Sequence, residues 1–239
     1  MTGSSSRLVQ LLRPALFDKV DRDHRQPDRA FLRRRVVVGV VLLVGATLLG
    51  ISLSVPPGSP AFYPLTLALA ALWVVGGLAS GPLHLGRIPF RGTLRRPVVT
   101  PIVLGLVAVA VFVLGALVVR QILPLRDFTQ HVLDHARYGS LPLVLLITVL
   151  NGIAEEVFFR GALFAAIGAR YPVLISTAVY AVATIATGNP MLVFAAATLG
   201  LVLGLQRRAS GGVLASILTH VTWSSSMVLI LPPLFAVGH

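Results

Sequence analysis

Apolar residues in this chain come in runs too long for the core of a soluble domain. Seven stretches, at about 36–54, 61–80, 98–119, 141–163, 173–188, 190–206 and 213–232, approach the ~20 residues that carry a helix across a bilayer. The fifth and sixth are short and nearly continuous, parted only at Gly188-Asn189-Pro190. In hydrocarbon every backbone polar group must find a partner inside its own segment or in a closed barrel. The runs are continuous rather than alternating, so helices are expected. The fold class is therefore all-α, a polytopic membrane protein of about seven transmembrane helices. A mean hydropathy of +0.88 and 56% apolar residues agree with that reading.

Three regions follow: a basic segment at 1–35, three helices and a loop at 36–140, and a four-helix core at 141–232. With no cysteine, disulfides and thiolate metal sites are excluded. The net charge of +12 is a matter of topology. Residues 1–35 hold nine Lys/Arg, and the alternate loops add Arg87, Arg91, Arg95, Arg96, Arg170, Arg207 and Arg208. The opposite loops carry only Arg120, Arg126 and Arg137. By the positive-inside rule the N-terminus is cytoplasmic, and seven crossings place the C-terminus outside. The expected setting is a bacterial-type plasma membrane, with anionic headgroups near the basic loops. No nucleic-acid-binding motif is present, so DNA and RNA are not expected partners.

The segment before the first run lacks the short apolar core and cleavage site of a signal peptide. Leu8, Leu11, Leu12, Leu16 and Val20 suggest a surface helix divided at Pro14, with an irregular alternative around Asp21–Asp28. In the 121–140 loop, His131 and His135 at i, i+4 could bind a metal. A solvated loop helix is the expectation there. Gly200 and Gly204 form a small-residue packing motif, and Trp73 and Trp223 read as packing or interfacial residues.

The two glutamates of the chain, Glu155 and Glu156, are adjacent and lie inside the fourth run. Ionisable groups in hydrocarbon cost about 2.5–3.5 kcal/mol each on insertion scales, so they face a bundle interior and mark function. On an α-helix Glu156 and Arg160 share a face, acid before base, so one can neutralise the other. Glu155 falls on the neighbouring stripe with Asn151 and has no such partner in the sequence. His220 is the one histidine inside a run, among Thr219, Thr222, Ser224, Ser225 and Ser226. Counted from residue 162 and from Val213, Glu155 and His220 each lie ~10 Å below the same face. They could share a metal or a water. A buried Glu–Arg brace with a packing histidine is the alternative reading of the same residues.

Glu155-Glu156-Val157-Phe158-Phe159-Arg160-Gly161 resembles the EExxxR first motif of the CPBP (Abi) family of intramembrane metalloproteases. That family includes type II CAAX prenyl endopeptidases and bacteriocin-immunity proteins. Leu214-Ala215-Ser216-Ile217-Leu218-Thr219-His220-Val221-Thr222-Trp223-Ser224 resembles its final His motif. The resemblance covers about 141–232. It implies a cavity open toward the cytoplasmic side, with Glu155 as base or metal ligand, Glu156 and Arg160 in support, and His220 as the last-motif histidine.

Two departures stand out. The family's second motif is an aromatic, three residues, then His. Here Tyr180 is followed by Thr184, with Thr187 the alternative, and a hydroxyl is a poor zinc ligand beside imidazole. Ser224 stands where Asn or Asp is usual. A divalent metal such as zinc, on Glu155 and His220 if anywhere, is therefore doubtful, and no other cofactor is expected. Three functions stay open. The chain is an intramembrane endopeptidase cleaving a membrane-anchored peptide through a Glu155-activated water, a degenerate relative that binds or regulates a membrane protein, or a transporter.

Overall fold

The computed structural model describes residues 7–21, 26–90 and 92–236. It is 79% helical, so the all-α expectation holds. The helices in chain order are α1 (Arg7–Leu16), α2 (Asp28–Ser54), α3 (Phe62–Ser80), α4 (Val99–Val119) and α5 (Leu123–Arg137). Then come α6 (Leu141–Glu155), a π-helical segment (Glu156–Leu163), α7 (Phe164–Ile167), α8 (Pro172–Thr184), α9 (Pro190–Ser210) and α10 (Leu214–Ala236).

Among the described residues six helices are long and apolar enough to cross a bilayer, with α6, the π segment and α7 forming one of them. The seventh expected span is shorter. It is the 13 residues of α8 plus a three-residue 3-10 turn, Ile185–Thr187. At 1.5 Å per residue that reaches ~24 Å, less than the ~30 Å of hydrocarbon. It stops because Asn189 turns the chain and caps α9, its side chain accepting from the Met191 and Leu192 backbone N–H groups.

Lipid tails are as apolar as leucine, so close packing and hydrogen bonds hold such helices together rather than transfer from water. The interior shows this. Trp73 on α3 is 1% exposed and stacks on Phe158 and Phe159 at 4.4 and 5.2 Å between ring centroids. A Cβ on Gly45 of α2 would meet the Trp73 ring at 2.0 Å, so only glycine lets α2 and α3 approach there. Trp73 is thus a packing residue. Gly204 sits against Val173 in the same way, with a Cβ placed at 3.1 Å, which puts the expected Gly200–Gly204 motif at the α8–α9 contact.

Several loop expectations change. The 81–97 connection carries a small antiparallel hairpin, β1 (Ile88–Phe90) with β2 (Thr93–Arg95), where a plain loop was expected. Its approach is pinned to the α9–α10 turn by Arg87 N–H to the Ser210 carbonyl at 2.9 Å and Val213 N–H to the His84 carbonyl at 2.9 Å. Helix α1 runs through Pro14 rather than dividing there. Pro14 lies in its last turn, so the missing N–H costs little more than one bond. Of the Asp21–Asp28 stretch, residues 22–25 lie outside the described residues. The loop helix α5 is present, but His135 is buried rather than solvated. Its Nε2 lies 3.1 Å from the Val55 carbonyl oxygen and its ring 4.6 Å from that of Phe62.

Candidate functional site

Glu156, Arg160 and His220 meet at the junction of the π segment, α9 and α10. Glu156 and Arg160 are fully buried and His220 is 6% exposed. Arg160 Nη1 donates to Glu156 Oε1 at 3.0 Å, the i, i+4 pair expected from spacing. Its Nη2 donates to the Gly200 carbonyl at 3.1 Å, and its guanidinium lies 4.7 Å above the Tyr180 ring. Gly200 is needed for this, since a Cβ there would stand 3.1 Å from Arg160 Nη2. Arg207 closes the other side, donating from Nε to the Arg160 carbonyl at 2.6 Å. The π geometry loosens the helix's own i→i−4 ladder here, and π turns gather at functional sites.

The imidazole goes to a different acid from the one expected. His220 Nδ1 is 2.9 Å from Glu156 Oε1, so Glu156 binds both Arg160 and His220. Depth counted along separate helices did not foresee this. The fourth span runs on to Ile167, five residues past the expected end at 162, and Gly161 lies beside the start of α10, where a Cβ on it would stand 3.5 Å from Val213 Cγ1. Glu155 is not without a partner either. It is half-buried, and the Tyr180 hydroxyl of α8 donates to its Oε2. The sequence reading took Tyr180 as the second-motif aromatic and did not foresee it as the partner of Glu155. The available signal was a phenol inside an apolar span, a group that needs a partner when buried.

The supporting residues separate. Gly152 on α6 faces α10, where a Cβ would lie 3.7 Å from Ser224 Oγ and 3.8 Å from His220 Cδ2. Ser224 thus borders the histidine. Thr184 is buried, but its hydroxyl is spent on the Tyr180 carbonyl at 2.8 Å. Thr187 donates to the Thr184 carbonyl at 2.7 Å and lines a separate cavity with Asp127 and His131. Asn151 Nδ2 returns to the Ile147 carbonyl at 2.9 Å, one turn back on its own helix. Two more buried polar residues extend the site from α9 and α10. Gln206 Nε2 donates to Thr219 Oγ1 at 2.8 Å, and Thr219 donates to the Pro101 carbonyl at 2.8 Å.

Residues 137–226 match the family model described as Type II CAAX prenyl endopeptidase Rce1-like. Over these residues, less than half of the chain, the sequence is similar to that CAAX-protease family. The matched segment contains the Glu156–Arg160–His220 centre, Glu155 and Tyr180, and leaves α1–α4 outside. Neither the curated proteins nor the solved structures give a match. The donors present are a poor match to the metal chemistry that the resemblance implies. Among the described residues no three His, Cys, Asp or Glu side chains converge to hold an ion. His220 Nδ1 is turned to Glu156, and Thr184 in the second-motif place is turned to its own backbone. A site built of these residues does not fit a zinc of the usual three-ligand kind.

Proposed function

We propose that this protein is an intramembrane endopeptidase that cleaves a membrane-anchored peptide near the cytoplasmic leaflet, with Glu155 as general base. One observation carries the reading. Of two adjacent carboxylates, Glu156 is fully buried and doubly bound, while Glu155 is half-buried and has one oxygen fixed by Tyr180. A structural acid and a working acid are thus told apart by environment.

The chemistry runs as amide hydrolysis by a water. Glu155 takes a proton as the water oxygen bonds to the scissile carbonyl carbon. The tetrahedral intermediate then collapses, the C–N bond breaks, and Glu155 returns the proton to the leaving amine. Tyr180 holds Oε2, so Oε1 is the basic oxygen that faces the water. An ionised carboxylate only accepts, so His220 Nδ1 carries the hydrogen toward Glu156. In the neutral ring Nε2 is then an acceptor, and it orients the water by accepting its second hydrogen. Arg160 offsets the Glu156 charge, so that carboxylate stays ionised in a low-dielectric interior as the acceptor for the neutral imidazole's Nδ1–H.

A second reading is favoured by a different observation. With the second-motif histidine replaced by Thr184, the acids of the centre are bound to Arg160, His220 and Tyr180 of the chain itself, as in a degenerate relative that binds a membrane protein. The two are separated by a farnesylated CaaX peptide in nanodiscs, read by mass spectrometry. Cleavage by the wild type and its loss in Glu155→Gln at unchanged thermal stability support the protease. No cleavage by a folded wild type sinks it and leaves the binding reading. The proposed orientation follows the positive-inside bias, with the N-terminus and the basic loops in the cytoplasm.

A further inference from the structure

Threonines on several spans turn their hydroxyls back on their own helix. Thr66, Thr148, Thr184 and Thr198 donate to the carbonyl four residues earlier, at 2.8, 2.7, 2.8 and 2.8 Å. That carbonyl is the nearest acceptor for a hydroxyl in an apolar helix. Thr219 on α10 behaves differently. Its hydroxyl donates across to the Pro101 carbonyl of α4 at 2.8 Å and accepts from Gln206 Nε2 of α9 at 2.8 Å. Thr219 and Gln206 are both 0% exposed. A carboxamide in an apolar interior is costly unless it is bonded, a cost that an apolar side chain at 206 would avoid. At the same level α4 is pressed against α10. A Cβ on Gly105 would stand 3.0 Å from the Thr219 carbonyl oxygen and 2.8 Å from Thr222 Cβ. One hydroxyl thus ties three helices together where two of them are in close contact.

The next residue along α10 is His220, about 100° round the helix from Thr219. Its Nδ1 meets Glu156 Oε1 at 2.9 Å. With a Cα radius of about 2.3 Å and a side chain reaching about 4 Å further, turning α10 by about 20° would sweep the imidazole through ~2 Å. A hydrogen bond weakens steeply past ~3.2 Å, so such a turn would break this one. The Glu156 contact therefore depends on what fixes the rotation of α10. Thr219 is fixed on both sides, as donor to α4 and as acceptor from α9. We propose that Gln206 and Thr219 are positioning residues, which hold α10 in the rotation that gives His220 to Glu156. Both act through His220 rather than on the reacting atoms. The kinetic consequence rests on the proteolytic reading; the placement of the imidazole does not.

The full chain with isotope-labelled histidine rings is followed by NMR in nanodiscs, His220 being assigned by its loss in His220→Gln. An Nδ1–H held by a carboxylate is a strong, charge-assisted bond and gives a proton signal well downfield of a free ring's. Thr219→Val keeps the shape of the side chain and removes both bonds. It is expected to lose most of that downfield signal. In the farnesylated-peptide assay its kcat is expected to fall about tenfold to a hundredfold, with KM little changed. Thr219→Ser, which retains the hydroxyl, is expected to restore both. Gln206→Met leaves the Pro101 bond in place and is expected to give the same change in smaller degree, so it carries the test if Thr219→Val does not fold. Ser226→Ala, on the same helix with its hydroxyl turned to the Thr222 carbonyl at 2.7 Å, is expected to leave the signal as it is. An unchanged His220 signal in Thr219→Val and Gln206→Met overturns the proposal. Failure of Thr219→Ser to restore the signal overturns the role of the hydroxyl. Equal loss in Ser226→Ala would show a general disturbance of α10 and overturn it too. If the folded wild type cleaves nothing while the NMR outcomes hold, the proteolytic reading falls and the positioning of His220 stands.

Discussion

Replacing Arg160 by methionine tests whether the centre is held as an ion cluster. The change removes the 3.0 Å bond to Glu156, the 3.1 Å bond to the Gly200 carbonyl and the cation over Tyr180 at 4.7 Å. What remains is a carboxylate with no exposed surface, with His220 as its neighbour and Oε2 without a partner. Breaking one side of a buried pair costs about 3–5 kcal/mol, because the orphaned charge stays in the interior. The lost cation–π contact adds about 0.5–2 kcal/mol and the Gly200 bond about 1 kcal/mol, neither fully additive. A loss near 4 kcal/mol is therefore expected, a shift of several hundredfold to a thousandfold in the unfolding equilibrium. The assay is reversible unfolding in mixed micelles followed by the fluorescence of Trp73 and Trp223. The double variant Glu156→Gln/Arg160→Met removes both charges, so it should be more stable than the two single losses summed, by about 1–3 kcal/mol. A single-variant loss under about 1 kcal/mol, or strict additivity within about 0.5 kcal/mol, would refute the ion cluster.

Three further outcomes are expected. Gly45→Ala should cost about 1–3 kcal/mol because its Cβ strikes Trp73, while Gly39→Ala on the same helix, with open space around it, should be neutral within about 0.5 kcal/mol. The same unfolding assay decides, and equal effects would discount the Trp73 contact. Tyr180→Phe should cost about 1.5–3 kcal/mol in the wild type by removing a hydrogen bond to a charged acceptor, and less in a Glu155→Gln background. An equal cost in both backgrounds would place the phenol elsewhere. His135→Ala should lower thermal stability through the lost Val55 bond and Phe62 packing, and added zinc should not change the melting temperature of the wild type through that helix. Zinc-dependent stabilisation lost with His135 would restore the metal reading of His131 and His135.

Much of the site was legible because its spacing is local. Glu156 and Arg160 lie four apart on one helix, and their pairing follows from helical repeat alone. The small-residue motif at Gly200 and Gly204 could be read as a helix contact for the same reason. Partnerships between helices were not legible. His220 chose Glu156 over Glu155, and Tyr180 claimed Glu155, because one residue of difference along a span rotates a side chain by about 100°. Depth counted along the spans brought His220 level with the acid pair, but it cannot choose between neighbours only about 1.5 Å apart along the axis.

By itself the sequence determined that this chain lives in a membrane as helices, since no other secondary structure satisfies its backbone through such long apolar runs. It also determined that two acids and one histidine would lie within the spans, because the runs that carry them are apolar on both sides. Only the tertiary structure decided which partner from another helix each acid takes, His220 for Glu156 and Tyr180 for Glu155. That choice depends on the rotation and offset of α6, α8 and α10 against each other, set by contacts such as Gly152 on His220 and Gly200 beneath Arg160. Those offsets come from side-chain volumes on separate helices, which no pattern within a single span encodes.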